Sequence, residues 1–153
     1  MRTDALRQIE NHIYLCYNKQ REIDKSGFVG RIDMTITKIE KNGIICAIIN
    51  SDDIVIADAQ SALDVLMTAK YDAGTKNIVI SKKLIVEDFF ILSTGLAGEI
   101  LQKYINYGGR IAIYGDYTHY TSKPLHDFIY ESNKGKDVFF VATEDEAIEM
   151  LTR

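Results

Sequence analysis

Phe89-Phe90-Ile91-Leu92-Ser93-Thr94-Gly95-Leu96-Ala97-Gly98-Glu99-Ile100-Leu101-Gln102-Lys103-Tyr104 passes from an apolar run, through a small polar hinge, into an amphipathic helix. Ser93 or Thr94 offers a hydroxyl to the open N–H groups of the first helical turn, and Gly95 permits a tight backbone turn. Leu96, Ile100, Leu101 and Tyr104 then recur at helical spacing. Two hydroxyls are thereby placed at the positive end of a helix dipole, where a phosphate or carboxylate is stabilised.

Working outward, the same change from apolar run to polar turn to helix repeats along the chain. Downstream, Gly108-Gly109 ends the hinge helix and Arg110–Tyr114 reads as a strand. Ser122 caps a helix with Pro124 in its first turn and Leu125, Phe128 and Ile129 inward, ending near Asn133-Lys134-Gly135. Asp137–Val141 is a further strand, and Thr143-Glu144-Asp145-Glu146 is a capping box, Thr143 and Glu146 reciprocally bonded, that launches a last helix to Leu151.

Upstream, Asn77–Ser81 is a strand, and residues 57–71 form a helix with Ala62, Val65, Leu66 and Ala69 inward, closed at Ala73-Gly74. Alternation over Arg31–Ile39, a tight Asn42-Gly43 turn and the wholly apolar Ile44–Ile49 predict an antiparallel hairpin whose second strand lies inside the sheet. The order predicts one α/β domain over residues 29–153: a mixed five-stranded sheet with its first strand antiparallel at or near an edge. The later strands are parallel, joined by right-handed crossovers, so the polar groups that follow each strand collect at one edge. Those groups are Asn50 to Asp53, Ser93-Thr94, Asp116 to Ser122, and Thr143.

Residues 1–28 read as an appended helix with a narrow apolar stripe of Leu6, Ile9, Ile13, Cys16 and Tyr17. That stripe must be covered, either by the chain's own domain or as half of a homodimer seam.

With 153 residues, 46% hydrophobic, the chain suffices for one core. A net charge of −4 without a Lys/Arg cluster disfavours a nucleic-acid partner. The longest apolar runs are too short for a membrane span and no signal-peptide core opens the chain, so a cytoplasmic location is expected. Cys16 and Cys46 read as buried thiols, and no metal-ligand spacing or cofactor fingerprint is present.

The element order, together with Ser93-Thr94-Gly95-Leu96-Ala97 after the third strand, resembles the STAS fold of anti-sigma-factor antagonists. In that family an Asp-Ser-Ser-Gly-Leu-Gly hinge occupies this point, and a partner kinase phosphorylates its first serine. The resemblance implies Ser93 as phospho-acceptor, Thr94 as the second hydroxyl and Gly95 as the turn glycine, while Leu92 stands in place of the motif's aspartate. A second resemblance covers the chain from about residue 32 onward. Asp88-Phe89-Phe90, Ser93 to Lys103, Gly115-Asp116 and Asp127 to Gly135 are similar to a small bacterial family catalogued as a domain of unknown function, number four thousand one hundred and eighty.

Three roles fit the hinge of Ser93, Thr94 and Gly95: phosphorylation site, anion site or helix cap. Asp116, Tyr117, Tyr120, Ser122, Glu131 and Asn133 are candidate ligand or partner contacts; the alternative for Glu131 to Asn133 is tying the next loop to the sheet. A Ser93-His-Asp hydrolase site with Asp116 or Asp127 lacks the Gly-x-Ser-x-Gly elbow, since Ile91 stands two residues before Ser93. The expected function is a small regulatory or protein-interaction module switched at Ser93 or Thr94. The alternative is a small-ligand or nucleotide-binding protein that uses the polar edge loops.

Overall fold

The computed structural model of the chain describes residues 34–153. The expected helix of residues 1–28, its apolar stripe and Cys16 lie outside them. β1 (Met34–Lys41) and β2 (Ile44–Ser51) pair antiparallel through Asn42 and Gly43, whose φ angles of 54° and 77° are the two left-handed positions of a type I′ turn. There follow α1 (Ala59–Ala73), β3 (Asn77–Ser81), α2 (Leu96–Asn106), β4 (Arg110–Tyr114), α3 (Lys123–Lys134), β5 (Val138–Val141) and α4 (Glu144–Thr152). The sheet runs β1-β2-β3-β4-β5, with β2 to β5 mutually parallel.

That sequential order decides where the helices go. Right-handed crossovers that always step in the same direction place every crossover helix on the same face. Residues of α1, α2 and α3 accordingly share one core with Ala47, Ile49, Ile78, Ile80, Ile111, Ile113, Val138 and Phe140. The alternate residues Cys46, Ile48, Val79, Ala112 and Phe139 point the other way and pack on Ala147, Ile148 and Leu151 of α4. Tyr104 is fully buried between α1 and α2, and its hydroxyl donates to the Ala62 carbonyl at 2.8 Å.

Three caps read from the sequence are present. Gly74 closes α1 at φ 70°, Ser122 Oγ accepts from Leu125 N–H, and Thr143 Oγ1 accepts from Glu146 N–H. The box at Thr143 differs in one bond. Glu146 Oε2 accepts from Ala142 N–H at 3.2 Å, one residue earlier than expected.

The two ends of the sheet are built differently. The helix-to-strand loops 74–76, 107–109 and 135–137 are each three residues long, whereas the strand-to-helix loops include 82–95 and 115–122. Long loops therefore gather at the C-terminal edge of the strands. Among the described residues no helix is long and apolar enough to cross a membrane.

Candidate functional site

The long loop 82–95 folds as three short 3₁₀ turns, over Lys82–Leu84, Glu87–Phe90 and Leu92–Thr94. Its first part is stitched to the loop after β2: Val55 and Ile56 N–H donate to the Leu84 carbonyl, and Val86 N–H returns a bond to Ile56. Its middle part is stitched to the loop after β4. Tyr120 Oη donates to Glu87 Oε1 at 2.7 Å, and the Tyr120 ring stacks on Phe90 at 5.7 Å between centroids. The Lys82 ammonium lies 4.8 Å from the Tyr120 centroid and 5.1 Å from that of Phe90, with Glu87 Oε2 at 3.8 Å. Gly115 makes this possible, since a Cβ there would come within 2.7 Å of Lys82 Cβ.

Beside this stack opens a groove of about 380 Å³ between the segment Phe90–Ser93 and the start of α3, where Thr121, Ser122, Pro124 and Leu125 form the other wall. Ile91, 46% exposed, stands at its rim. His119 also lines it, its ring centroid 4.1 Å from that of Tyr120.

Ser93 and Thr94 have different roles from those expected. The N-cap of α2 is Gly95, at φ 76°, and no side chain caps it in the usual geometry. Thr94 Oγ1 turns back onto its own loop, 2.8 Å from the Asp88 carbonyl and 2.9 Å from that of Ile91, and accepts a long bond from Leu96 N–H at 3.3 Å. Ser93 is exposed and its hydroxyl makes no hydrogen bond among the described residues. The capping role expected of Ser93 is thus corrected: the 3₁₀ turn over Leu92–Thr94 carries its side chain away from the α2 N–H groups and onto the groove lip.

Tyr117 and Tyr120 are half-buried and anchor the loop after β4. Tyr117 packs against Phe90 and Phe140, and its hydroxyl donates to Ile113 O at 2.9 Å. Burial raises the Tyr117 hydroxyl above the ordinary phenol range; burial also raises that of Tyr120, with the bond to Glu87 adding to it. Asp116 accepts from the Thr118 hydroxyl at 2.6 Å and the Thr118 N–H at 2.8 Å, which lower its carboxyl below the usual value, with His119 and Lys82 adding to the effect.

The groove therefore collects Ser93, Tyr120 and Ser122 from the residues expected at the site. Thr94 and Gly95 sit next to it, and Asp116 and Tyr117 support the loop behind it. Glu131 and Asn133 are not there, because α3 carries them away by 1.5 Å per residue, about 13 Å from Ser122 to Glu131. Asn133 exchanges two bonds with the Phe140 backbone, at 2.8 and 3.0 Å, and closes part of the open edge of β5. Glu131 lies 3.5 Å from Lys134. Phe90, Pro124 and Leu125 read as part of an apolar run and a helix start, and His119 as part of the polar edge loop, so their meeting in one groove escapes the sequence reading.

No Ser-His-Asp relay connects these groups. His126 Nε2 donates to the Tyr120 carbonyl at 2.6 Å, which assigns the proton to Nε2 because a carbonyl only accepts. Asp127 is paired with Lys123 at 2.8 Å, and Asp116 is held by Thr118. Among the described residues no His, Cys, Asp or Glu cluster is arranged to hold a metal ion.

No curated protein and no solved structure matches the chain. The family model described as "Domain of unknown function (DUF4180)" matches residues 41–151, and the chain belongs to that family.

Proposed function

We propose that this member of the DUF4180 family is a small regulatory or protein-interaction module of STAS-like type, whose protein partner seats on the groove between Phe90 and Leu125 and is controlled at Ser93. The observation that carries the reading is the contrast between two adjacent hydroxyls. Thr94 is consumed by its own loop, while Ser93 is exposed, unbonded and on the lip of a groove with an exposed isoleucine at its rim. A phosphate there adds about −1.5 to −2 charge at the groove lip without disturbing a bond the fold relies on. The antiparallel first strand, the order β1-β2-β3-β4-β5 and a serine between β3 and the next helix support the STAS-like assignment.

The test is affinity capture from the source cells with the wild-type chain and with Ser93→Ala, Ser93→Asp and Ile91→Asp, combined with intact-mass measurement of the native protein. The reading expects one stoichiometric protein that Ile91→Asp loses and whose capture differs between the alanine and aspartate variants. Capture that is identical with all four chains, with no phosphate on the native protein, defeats it. A small molecule retained in place of a protein supports instead a nucleotide or other ligand on the polar edge loops.

A further inference from the structure

At the opposite end of the sheet a second cavity, of about 470 Å³, is lined by Arg110, Gly135, Lys136, Asp137, Phe139, Met150 and Arg153. Three cations and one carboxylate border it, on a chain whose net charge is −4. Three lysines elsewhere on the described surface lie beside a carboxylate, Lys82 by Glu87, Lys123 by Asp127 and Lys134 by Glu131. Arg110, Lys136 and Arg153 form no ion pair among the described residues, although Asp137 is close in sequence.

Arg110 is also held in position. Its Nε donates to the Lys136 carbonyl at 2.8 Å and its Nη1 to the Leu151 carbonyl at 3.1 Å. A guanidinium has five N–H donors, so three remain for another partner. The guanidinium carbons of Arg110 and Arg153 each lie 5.9 Å from the centroid of the buried Phe139 ring, and that shared ring keeps two like charges at the same cavity. Carbonyls that fix a cation while leaving its outward donors open lower the entropy lost when an anion arrives.

We propose that this cavity binds a small phosphate-bearing molecule, with Arg110 as the fixed donor and Lys136 and Arg153 closing on the anion from either side. A phosphate fits better than a lone carboxylate, because three cationic side chains against the one Asp137 carboxylate leave an excess of two positive charges, which matches two negative charges and several acceptor oxygens. The volume lies within the range of small-molecule sites. The site is separate from the Ser93 groove, so each proposal stands or falls alone.

The experiment titrates the full chain with sodium pyrophosphate, and in parallel with sodium succinate at equal ionic strength, following backbone amide shifts by NMR. Pyrophosphate is expected to give saturable shifts at residues 135–137 and 150–153, with succinate giving none that saturate. Lys136→Ala and Arg153→Ala, both at exposed positions, are each expected to weaken pyrophosphate about tenfold through loss of a charge-assisted hydrogen bond, while Ser93→Ala leaves it unchanged. Absence of saturation, an equal response to both anions, indifference to both alanine variants, or shifts confined to residues 90–95 and 119–125 would each overturn the proposal.

Discussion

At the C-terminal edge of the sheet Lys82 and Lys123 are paired and the Ser93 hydroxyl is left open; at the N-terminal edge Arg110, Lys136 and Arg153 keep their charges open while carbonyls hold Arg110 in place. Lys82 is matched by Glu87 and Lys123 by Asp127 at the first edge, while Arg110, Lys136 and Arg153 gather at the second without an ion pair among the described residues. Loop length underlies the difference. A loop of 14 residues, 82–95, has enough chain to bring its own carboxylate to its own lysine and to stack Phe90 on Tyr120. The three-residue loop 135–137 has no such freedom, so its cation and its carbonyl face whatever the neighbouring strand and helix end present. Long loops make their own environment, and short loops inherit one.

The largest expected effect tests whether the groove edge is built around Phe90. It is 3% exposed and touches Phe89, Tyr117 and Tyr120, so Phe90→Ala should cost about 3–5 kcal/mol in urea denaturation. A loss below about 1 kcal/mol would mean that the aromatic stack is a surface ornament and that the two edges are more alike than described.

Gly115 sharpens the same point at smaller scale. Its missing Cβ leaves room for Lys82 Cβ, an atom next to the backbone that has little room to yield, so Gly115→Ala should cost about 1–3 kcal/mol in the same measurement. The alanine variant should also loosen the Tyr120 to Glu87 contact, visible as faster exchange of loop amides.

Tyr104 spans from α2 to α1, and burial raises its hydroxyl above the ordinary range. The folded state therefore holds this proton where the unfolded chain, with a phenol pKa of about 10, releases it. Its contribution is fully present below about pH 10 and should fall by about 1.4 kcal/mol for each pH unit above that. Denaturation curves at successive alkaline pH values check the sign, and Tyr104→Phe should flatten the slope.

The smallest effects separate the two hydroxyls of the hinge. Thr94→Ala removes the bonds to Asp88 and Ile91 and should cost about 0.5–1.5 kcal/mol. Ser93→Ala removes none and should stay within about 0.5 kcal/mol of the wild type by thermal or chemical denaturation. The reverse order would restore Ser93 as a cap and take away the ground for a switch there.

Much of the fold was legible in local pattern. Strands Asn77–Ser81 and Arg110–Tyr114 fall where their apolar runs and bounding glycines placed them, and the Asn42-Gly43 turn and the caps at Gly74, Ser122 and Thr143 are where the residue types called for them. β1 runs to Lys41, two residues past the expected Ile39, because ladder pairing to Ile44 continues up to the turn whatever the charge of the side chain. The candidate site was legible in part: the polar edge was, its aromatic backing was not, since Phe90 read as one more apolar residue in the Phe89 to Leu92 run.

Element type, order, the caps at Gly74 and Ser122 and the tight hairpin were determined by the sequence alone, because each depends on periodicity and side-chain chemistry within a few neighbouring residues. Which hydroxyl of the Ser93-Thr94 pair stays open was decided by the folded loop, since the outcome turns on the 3₁₀ turn over Leu92–Thr94 and the Asp88 carbonyl it brings to Thr94 rather than on either residue's own preference. The basic cavity was decided by the tertiary structure. Arg110 is fixed there by carbonyls 26 and 41 residues away in the chain, and no window of sequence contains contacts that exist only once β4, β5 and α4 have been brought together.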